Sequence, residues 1–196
     1  MGRVIVPERS IVYSARNWRR QLEYLQQQFG VAVARRCGVV TLHSTLRATL
    51  QRRVGDSALN GGRLFDLGLL SCRVVTTVGV NFLVDDMDDN TTNIANFNYH
   101  DSGTGTNAPA VGDTTLQTQA GPTTRATGTK SQPSANVLRT VGTITYTSTL
   151  AITEHGLFDQ AAQGGSLWDR HTFSAINVVN TDQIQFQYDL TVNSGG

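Results

Sequence analysis

Apolar positions in the first third of the chain recur at helical spacing, and those in the last two thirds recur mostly in alternation. In SARNWRRQLEYLQQQFG, Trp18, Leu22, Leu25 and Phe29 fall at i, i+4, i+7 and i+11. This predicts an amphipathic helix capped by Ser14 and ended by Gly30. Leu42, Leu46, Leu50 and Val54 follow at four-residue steps and predict a second, weaker helix before Gly55 and Asp56. The stretch VVTTVGVNFLVDDM fits two templates. Val74, Val78, Val80, Phe82 and Val84 share one face of a strand, whereas Val80, Leu83, Val84 and Met87 share one face of a helix started by Thr77. Periodicity leaves that choice open.

Further on, Ala95, Phe97 and Tyr99 alternate with Asn96, Asn98 and His100 before a Gly/Pro loop over 101–113, which reads as a strand entering a loop. Residues 123–129 and 137–147 are Thr-rich, with Ile144 and Tyr146 on one face, and predict two strands separated by a turn at Pro133. The clearest strand is the last, where Ile184, Phe186, Tyr188, Leu190 and Val192 alternate with polar residues, the pattern of a half-buried antiparallel strand.

Between these lies TEHGLFDQAAQGGSLWDRHTF, which crowds two carboxylates, two imidazoles and an arginine between glycines. Its flanks predict strands over 150–158 and 166–174 joined by a loop at 159–165. With Phe158 facing Ser166, Glu154 lies opposite Arg170, His155 opposite Asp169, Leu157 opposite Leu167, and Trp168 across from Gly156. These are favourable cross-strand pairs, and an aromatic laid over a strand glycine is a known device. A one-residue slip would break both charge pairs and exchange the faces, so the charges read as register locks. Adjacent strand residues point to opposite sides, so Glu154 and His155 do not converge on one substrate. His155, Asp169 and His171 share a face, and such a cluster is the candidate for metal or acid–base chemistry. The structural pairing is the reading preferred here: no catalytic, cofactor-binding or metal-ligating residue is assigned.

Composition adds three constraints. At 196 residues, 39% of them hydrophobic and with abundant Gly, Thr, Asn and Ser, the chain suits one mainly β domain with many turns. Cys37 and Cys72 allow one bridge at most and lack zinc-site spacing, so both are expected reduced. No run approaches a membrane span and no leader pattern opens the chain, so a soluble protein with no membrane partner is expected.

The net charge of +1 hides an asymmetry. Residues 1–73 carry twelve arginines against four acids, net +8, and residues 74–196 carry four basic residues against eleven acids, net −7. The candidate partner-binding side chains are Arg16, Arg19, Arg20, Arg35, Arg36, Arg52 and Arg53. Arg16, Arg19 and Arg20 make only a generic basic face without aromatic or base-reading companions, which argues against nucleic acid and for protein contact. Part of this Arg-rich, Lys-free lead-in also reads as an overextended frame that packs poorly.

Two short motifs fail on their context. Asp86, Asp88 and Asn90 hold the first positions of a calcium loop, but Thr91 stands where glycine is needed and Phe97 where a bidentate glutamate is needed. Gly103, Gly105 and Ala108 match a loose dinucleotide fingerprint, but Pro109 and Gly112 follow where a helix must begin. No serine sits on a G-x-S-x-G elbow.

From about Arg73 onward the order of pieces resembles small tailed-phage structural proteins and the N-terminal domain of phage tail-collar fibre proteins. The matching pieces are VTTVGVNFLVDD, FNYHDSGTGTNAPAVGDTTL, RATGTK, TEHGLFD, SLWDRHTFSAINV and the closing strand. The resemblance implies an antiparallel β-sandwich over about 74–196 in a non-enzymatic virion component, and it tilts VGVNFLVDDM towards a short helix. Residues 1–72 have no counterpart and are expected to form a basic extension with one or two amphipathic helices, leaving 73–196 as the sandwich domain.

The expected role is therefore that of a capsid decoration or cement protein, present in repeated copies or as a homo-oligomer and contacting the major capsid protein. The chain stops at Asn193 to Gly196 without a fibrous continuation, which favours the capsid over the alternative, a tail or tail-fibre adaptor bound to tail proteins. A second class of function is a carbohydrate- or receptor-binding module using Trp168, Tyr99 and Tyr146 as an exposed platform. A third is a hydrolase built on His155, Asp169 and His171.

Overall fold

The computed structural model describes residues 11–52, 63–88 and 93–194, with the backbone alone for residues 11–20, Glu23, Arg35 and Val74. Among the described residues the chain is mainly β, with two helices and two antiparallel sheets in a sandwich-like arrangement. The elements run α1 (Ile11–Arg36), β1 (Thr41–Arg52), β2 (Arg63–Val74), α2 (Thr77–Asp88), a short 3-10 turn (Ile94–Asn96), β3 (Tyr99–Gly103), β4 (Ala126–Thr127), β5 (Thr129–Ser134), β6 (Val137–Thr145), β7 (Leu150–Phe158), β8 (Leu167–Val178) and β9 (Gln183–Asn193). One sheet has the order β2-β1-β9-β6-β5, the other β4-β3-β7-β8. They meet with β2 over β8 and with β3 and β4 over β6.

The sandwich begins earlier than the composition change at Arg73 suggests. Residues 41–52, expected as a helix, form β1, which is hydrogen-bonded between β2 and β9. A four-residue step is two periods of a strand as well as roughly one turn of a helix. Leu42, Leu46 and Leu50 therefore lie on one face of β1 together with the small residues Ser44 and Ala48. Small stands opposite large there, with Ala48 facing Phe186 and Ser44 facing Leu190. Val54, the fourth member of the expected helix, lies outside the described residues, as does Arg53. The expected division into a 1–72 extension and a 73–196 domain is corrected accordingly, since β1 and β2 supply two of the five strands of one sheet.

The helix expected over 14–30 is present but longer, running from Ile11 to Arg36. Ser14 is inside it and does not cap it, and Gly30 does not end it; Gly38, with φ of 71°, follows the helix instead. VGVNFLVDDM adopts the helical template. Thr76, one residue before the expected start, receives the amide of Gly79 on its hydroxyl at 3.1 Å, which is an N-cap. Gly79 is buried, and a methyl group there would press on Val75 and Trp168. Phe82 meets Phe97 edge-on at 4.7 Å.

β9 is central to its sheet, bonded to β1 on one side and β6 on the other. Ile184, Phe186, Tyr188 and Leu190 are buried as the alternation predicts, whereas Val192 reaches the rim and is exposed. The main core joins them to Leu46, Ile144, Ile152, Leu157, Trp168 and Val178. A smaller cluster of Leu116, Phe158 and Leu167 sits apart from it. Cys37 is exposed and Cys72 buried. Among the described residues no helix is long and apolar enough to cross a membrane.

Candidate functional site

The charged hairpin forms, but in a different register. Gly156 stands opposite Arg170, His155 opposite His171, Glu154 opposite Thr172 and Leu157 opposite Asp169, while Phe158 faces Leu167. Bulges at Leu157/Phe158 and Ile152/Glu154 absorb the difference. The first lies beside a turn in which Gly164 and Gly165 take left-handed conformations and the Asp159 carboxylate receives the Ser166 amide at 2.8 Å. Through the charged positions the slip is two residues, which preserves the faces. Glu154 and Arg170 are thus diagonal neighbours and still pair, Nε to Oε2 at 2.8 Å. His155 does not pair with Asp169, and Trp168 covers Gly79 and Phe97 in place of Gly156, whose neighbours are Phe158, Leu116 and Leu167.

Each face of this hairpin has its own polar network. On one, Glu154 is fully buried and accepts four donors: the amides of Gly105 (2.9 Å) and Thr118 (2.8 Å) on Oε1, and the amide of Gln117 (3.0 Å) and Arg170 Nε on Oε2. Arg170 continues to Asp113 at 3.0 Å and to the Asn107 carbonyl. Although the glycine motif reads in the sequence as a plain loop, the segment does cradle an anion, the chain's own Glu154. A methyl group on Gly103 or Gly105 would overlap that carboxylate. Gly105→Ala is therefore expected to cost about 1–3 kcal/mol through overpacking. Thermal unfolding measures it, and an unchanged midpoint would mean that the loop yields freely.

Arg125, not singled out in the sequence, closes the next clamp. It pairs with Asp101 at 3.1 Å and gives Nη1 to the carbonyls of Gln160, Ala162 and Gly164. Its guanidinium lies 3.5 Å above the Phe158 ring. Burial raises the Asp101 carboxyl above its usual range, against the Ser102 amide and the Arg125 guanidinium, which lower it.

The other face of the hairpin looks across to the five-stranded sheet and carries a row of histidines. His100 Nδ1 lies 2.9 Å from His155 Nε2, and His100 Nε2 lies 3.1 Å from Thr140 Oγ1. Thr140 donates its hydroxyl to Asn98 Oδ1 at 2.6 Å. That leaves the Thr140 oxygen to accept from His100 Nε2–H, so His100 Nδ1 accepts from His155 Nε2–H. All donors in the chain point the same way, towards Asn98 and on to the Gly128 carbonyl. Burial lowers His100 to about 3 and lowers His155 well below its ordinary value, the latter reinforced by His100 and His171. Both are neutral at pH 7.

Beside this row, Asp169 Oδ2 receives the Ser44 hydroxyl and the Tyr188 hydroxyl at 3.2 Å, and His171 Nε2 lies 3.3 Å from it. Burial, then the Asp169 charge, pushes the Tyr188 phenol well above its usual value. Ser44, His171 and Asp169 have the residue types of a hydrolytic triad but not its wiring. In a triad the acid and the hydroxyl occupy different imidazole nitrogens. Here both meet Nε2, with Ser44 Oγ at 3.1 Å, and His171 Nδ1 has no partner. All three residues are at most 1% exposed, so no substrate reaches the hydroxyl.

No family model, no curated protein and no solved structure matches the chain.

The remaining candidates are placed as follows. Trp168 and Tyr146 are buried and Tyr99 is half-buried, so the aromatic platform that a carbohydrate-binding role would need is not formed. Arg52 is engaged by Asp182 at 3.0 Å and by the Asn177 carbonyl. Arg16, Arg19, Arg20 and Arg35 lie on α1, with their side chains outside the described residues, and Arg36 is exposed. Asp86 and Asp88 belong to α2, while Asn90 and Thr91 lie outside the described residues. Among the described residues no three His, Cys, Asp or Glu side chains are placed to share a metal ion. A groove of about 760 Å³ lies between α1 and the outer face of the five-stranded sheet, lined by Tyr24, His43, Arg47, Arg139, Asp189 and Asn193. Its Arg139–Asp189 pair is bidentate at 2.7 and 2.8 Å, and burial lowers His43.

Sequence reasoning missed Ser44, His100, Tyr188, Arg125 and Asp101 as partners because each acts across the sheets or from a loop. The one legible signal was His100, set among the alternating residues that enter β3.

Proposed function

We propose that this chain is a non-enzymatic structural component of a tailed-phage virion, used as a capsid decoration or cement protein in repeated copies. What carries the reading is where the chemistry-bearing side chains are spent. Glu154, Arg170, Arg125, Asp101, His100, His155 and Asp169 are buried and bonded to other side chains or to backbone, so they fix loops and sheets and face no substrate. The surface keeps apolar helix faces and a charge asymmetry, the features of a protein that meets other proteins. The pieces from Arg73 onward supply the link to tailed phages.

The test is quantitative mass spectrometry of purified particles. A copy number that scales with the shell subunits supports the capsid role, a handful per particle supports the tail-adaptor reading, and absence from particles overturns both.

A further inference from the structure

α1 is mounted inside out. The positions it turns towards the sheet are Gln27, Gln28, Val31 and Ala34, all half-buried, and Gln27 Nε2 donates to the Arg73 carbonyl at 3.1 Å. Its apolar stripe points away: Leu22, Leu25, Phe29 and Val33 are exposed, Leu25 at 62% and Phe29 at 73%. An amphipathic helix normally buries the apolar side, so this stripe lacks its counterpart among the described residues.

α2 has the same defect with the opposite charge. Its body-facing side uses Gly79, Phe82 and Leu83, and Val80, Val84 and Met87, at i, i+4 and i+7, form an exposed stripe, with Val84 at 58% and Met87 at 79%. The helix carries Asp85, Asp86 and Asp88 and no basic residue. Those acids stand at the negative end of the helix dipole, where a cation is favoured. α1 carries five arginines and one glutamate.

We infer that α1 of one copy docks on α2 of a second copy, apolar stripe on apolar stripe, with the arginines of one helix beside the aspartates of the other. The α2 stripe from Val80 to Met87 and the Leu22 to Phe29 part of the α1 stripe each span eight residues, roughly 10 Å of helix, and Val33 continues the α1 stripe by one further turn. Two α1 helices would bring like charges together, whereas α1 on α2 pairs opposite ones. Because the two surfaces differ, the contact is head-to-tail, and copies close into a ring or extend as a chain. This holds whether or not the virion reading does.

The test uses sedimentation velocity of the full chain across micromolar concentrations at low and high salt. Wild-type protein is expected to assemble with concentration, more weakly at high salt. The double variant Leu25→Asp/Phe29→Asp and the double variant Val84→Lys/Met87→Lys each alter only exposed positions. Each is expected to keep the wild-type melting profile and to lose self-association by about 30-fold or more. Mixed together they should form a 1:1 dimer, because one retains α2 and the other α1. A wild-type chain that stays monomeric, an α2 variant that still assembles, or a mixture that stays monomeric overturns the inference.

Discussion

Glu154→Gln is expected to destabilise the chain by about 3–5 kcal/mol, the range for removing one partner of a buried ion pair. The substitution keeps the shape of the side chain but cannot keep its bonds. Both carboxylate oxygens accept, Oε1 from two amides and Oε2 from an amide and Arg170 Nε. Whichever way the new amide is turned, its NH2 group faces two donors and Arg170 loses its buried counter-charge, retaining only Asp113. For a chain of this length the loss corresponds to a fall in melting temperature of roughly 10 °C. The loop over residues 104–118 should open with it, so limited proteolysis should cut there first. The apolar double variant Glu154→Leu/Arg170→Met should cost less than either single removal, because no charge is left stranded. A Glu154→Gln protein within about 1 kcal/mol of wild type would show that the clamp contributes no more than a surface ion pair.

Acidification is expected to be the other large effect. In the unfolded chain His100 and His155 take up protons near 6.5, whereas in the folded chain burial holds His100 down to about 3 and His155 well below its ordinary value. The unfolded state therefore binds more protons below pH 6.5, and stability present above that pH is lost as pH falls. Two such groups remove about 5 kcal/mol between pH 6.5 and about pH 4.5. His43, lowered by burial, acts in the same direction, while Asp101, raised by burial, opposes it at the acid end. Urea unfolding at stepped pH reads the slope directly. His155→Phe should halve that slope whatever it does to stability at pH 7, and a flat profile in the wild type would refute the buried-neutral assignment.

Some of this was legible in the sequence. The alternation of Ile184, Phe186, Tyr188 and Leu190 gave β9 its face, because a central strand with one buried side leaves no other solution. The Glu154–Arg170 ion pair was legible for a different reason: strand faces depend on parity, and the turn together with the Leu157/Phe158 bulge moved the register by two through those positions. The register itself was not legible, since a bulge adds a residue without changing composition. β1 was misread because steps of four fit both periods, and what decides is the pair of strands on either side of it, one of them β9. The helix at VGVNFLVDDM needed a fact from elsewhere in the chain, namely that Trp168 fills the space above Gly79. The histidine row could not be assembled from the sequence beyond the place of His100 in the alternation, since His100, Thr140 and His155 come from three strands in two sheets.

The place of β1 has a consequence for how the chain is made. Leu46 pairs with Tyr188, about 140 residues later, and at ordinary synthesis rates that partner emerges roughly 10–30 s after β1 does. Until then β1 has only β2 beside it, and its other edge is a row of unsatisfied amides and carbonyls open to whatever strand arrives first. Folding here is late and non-local, in the slow regime of high contact order. A nascent chain stalled before residue 183 is the form most exposed to mispairing and to chaperone capture.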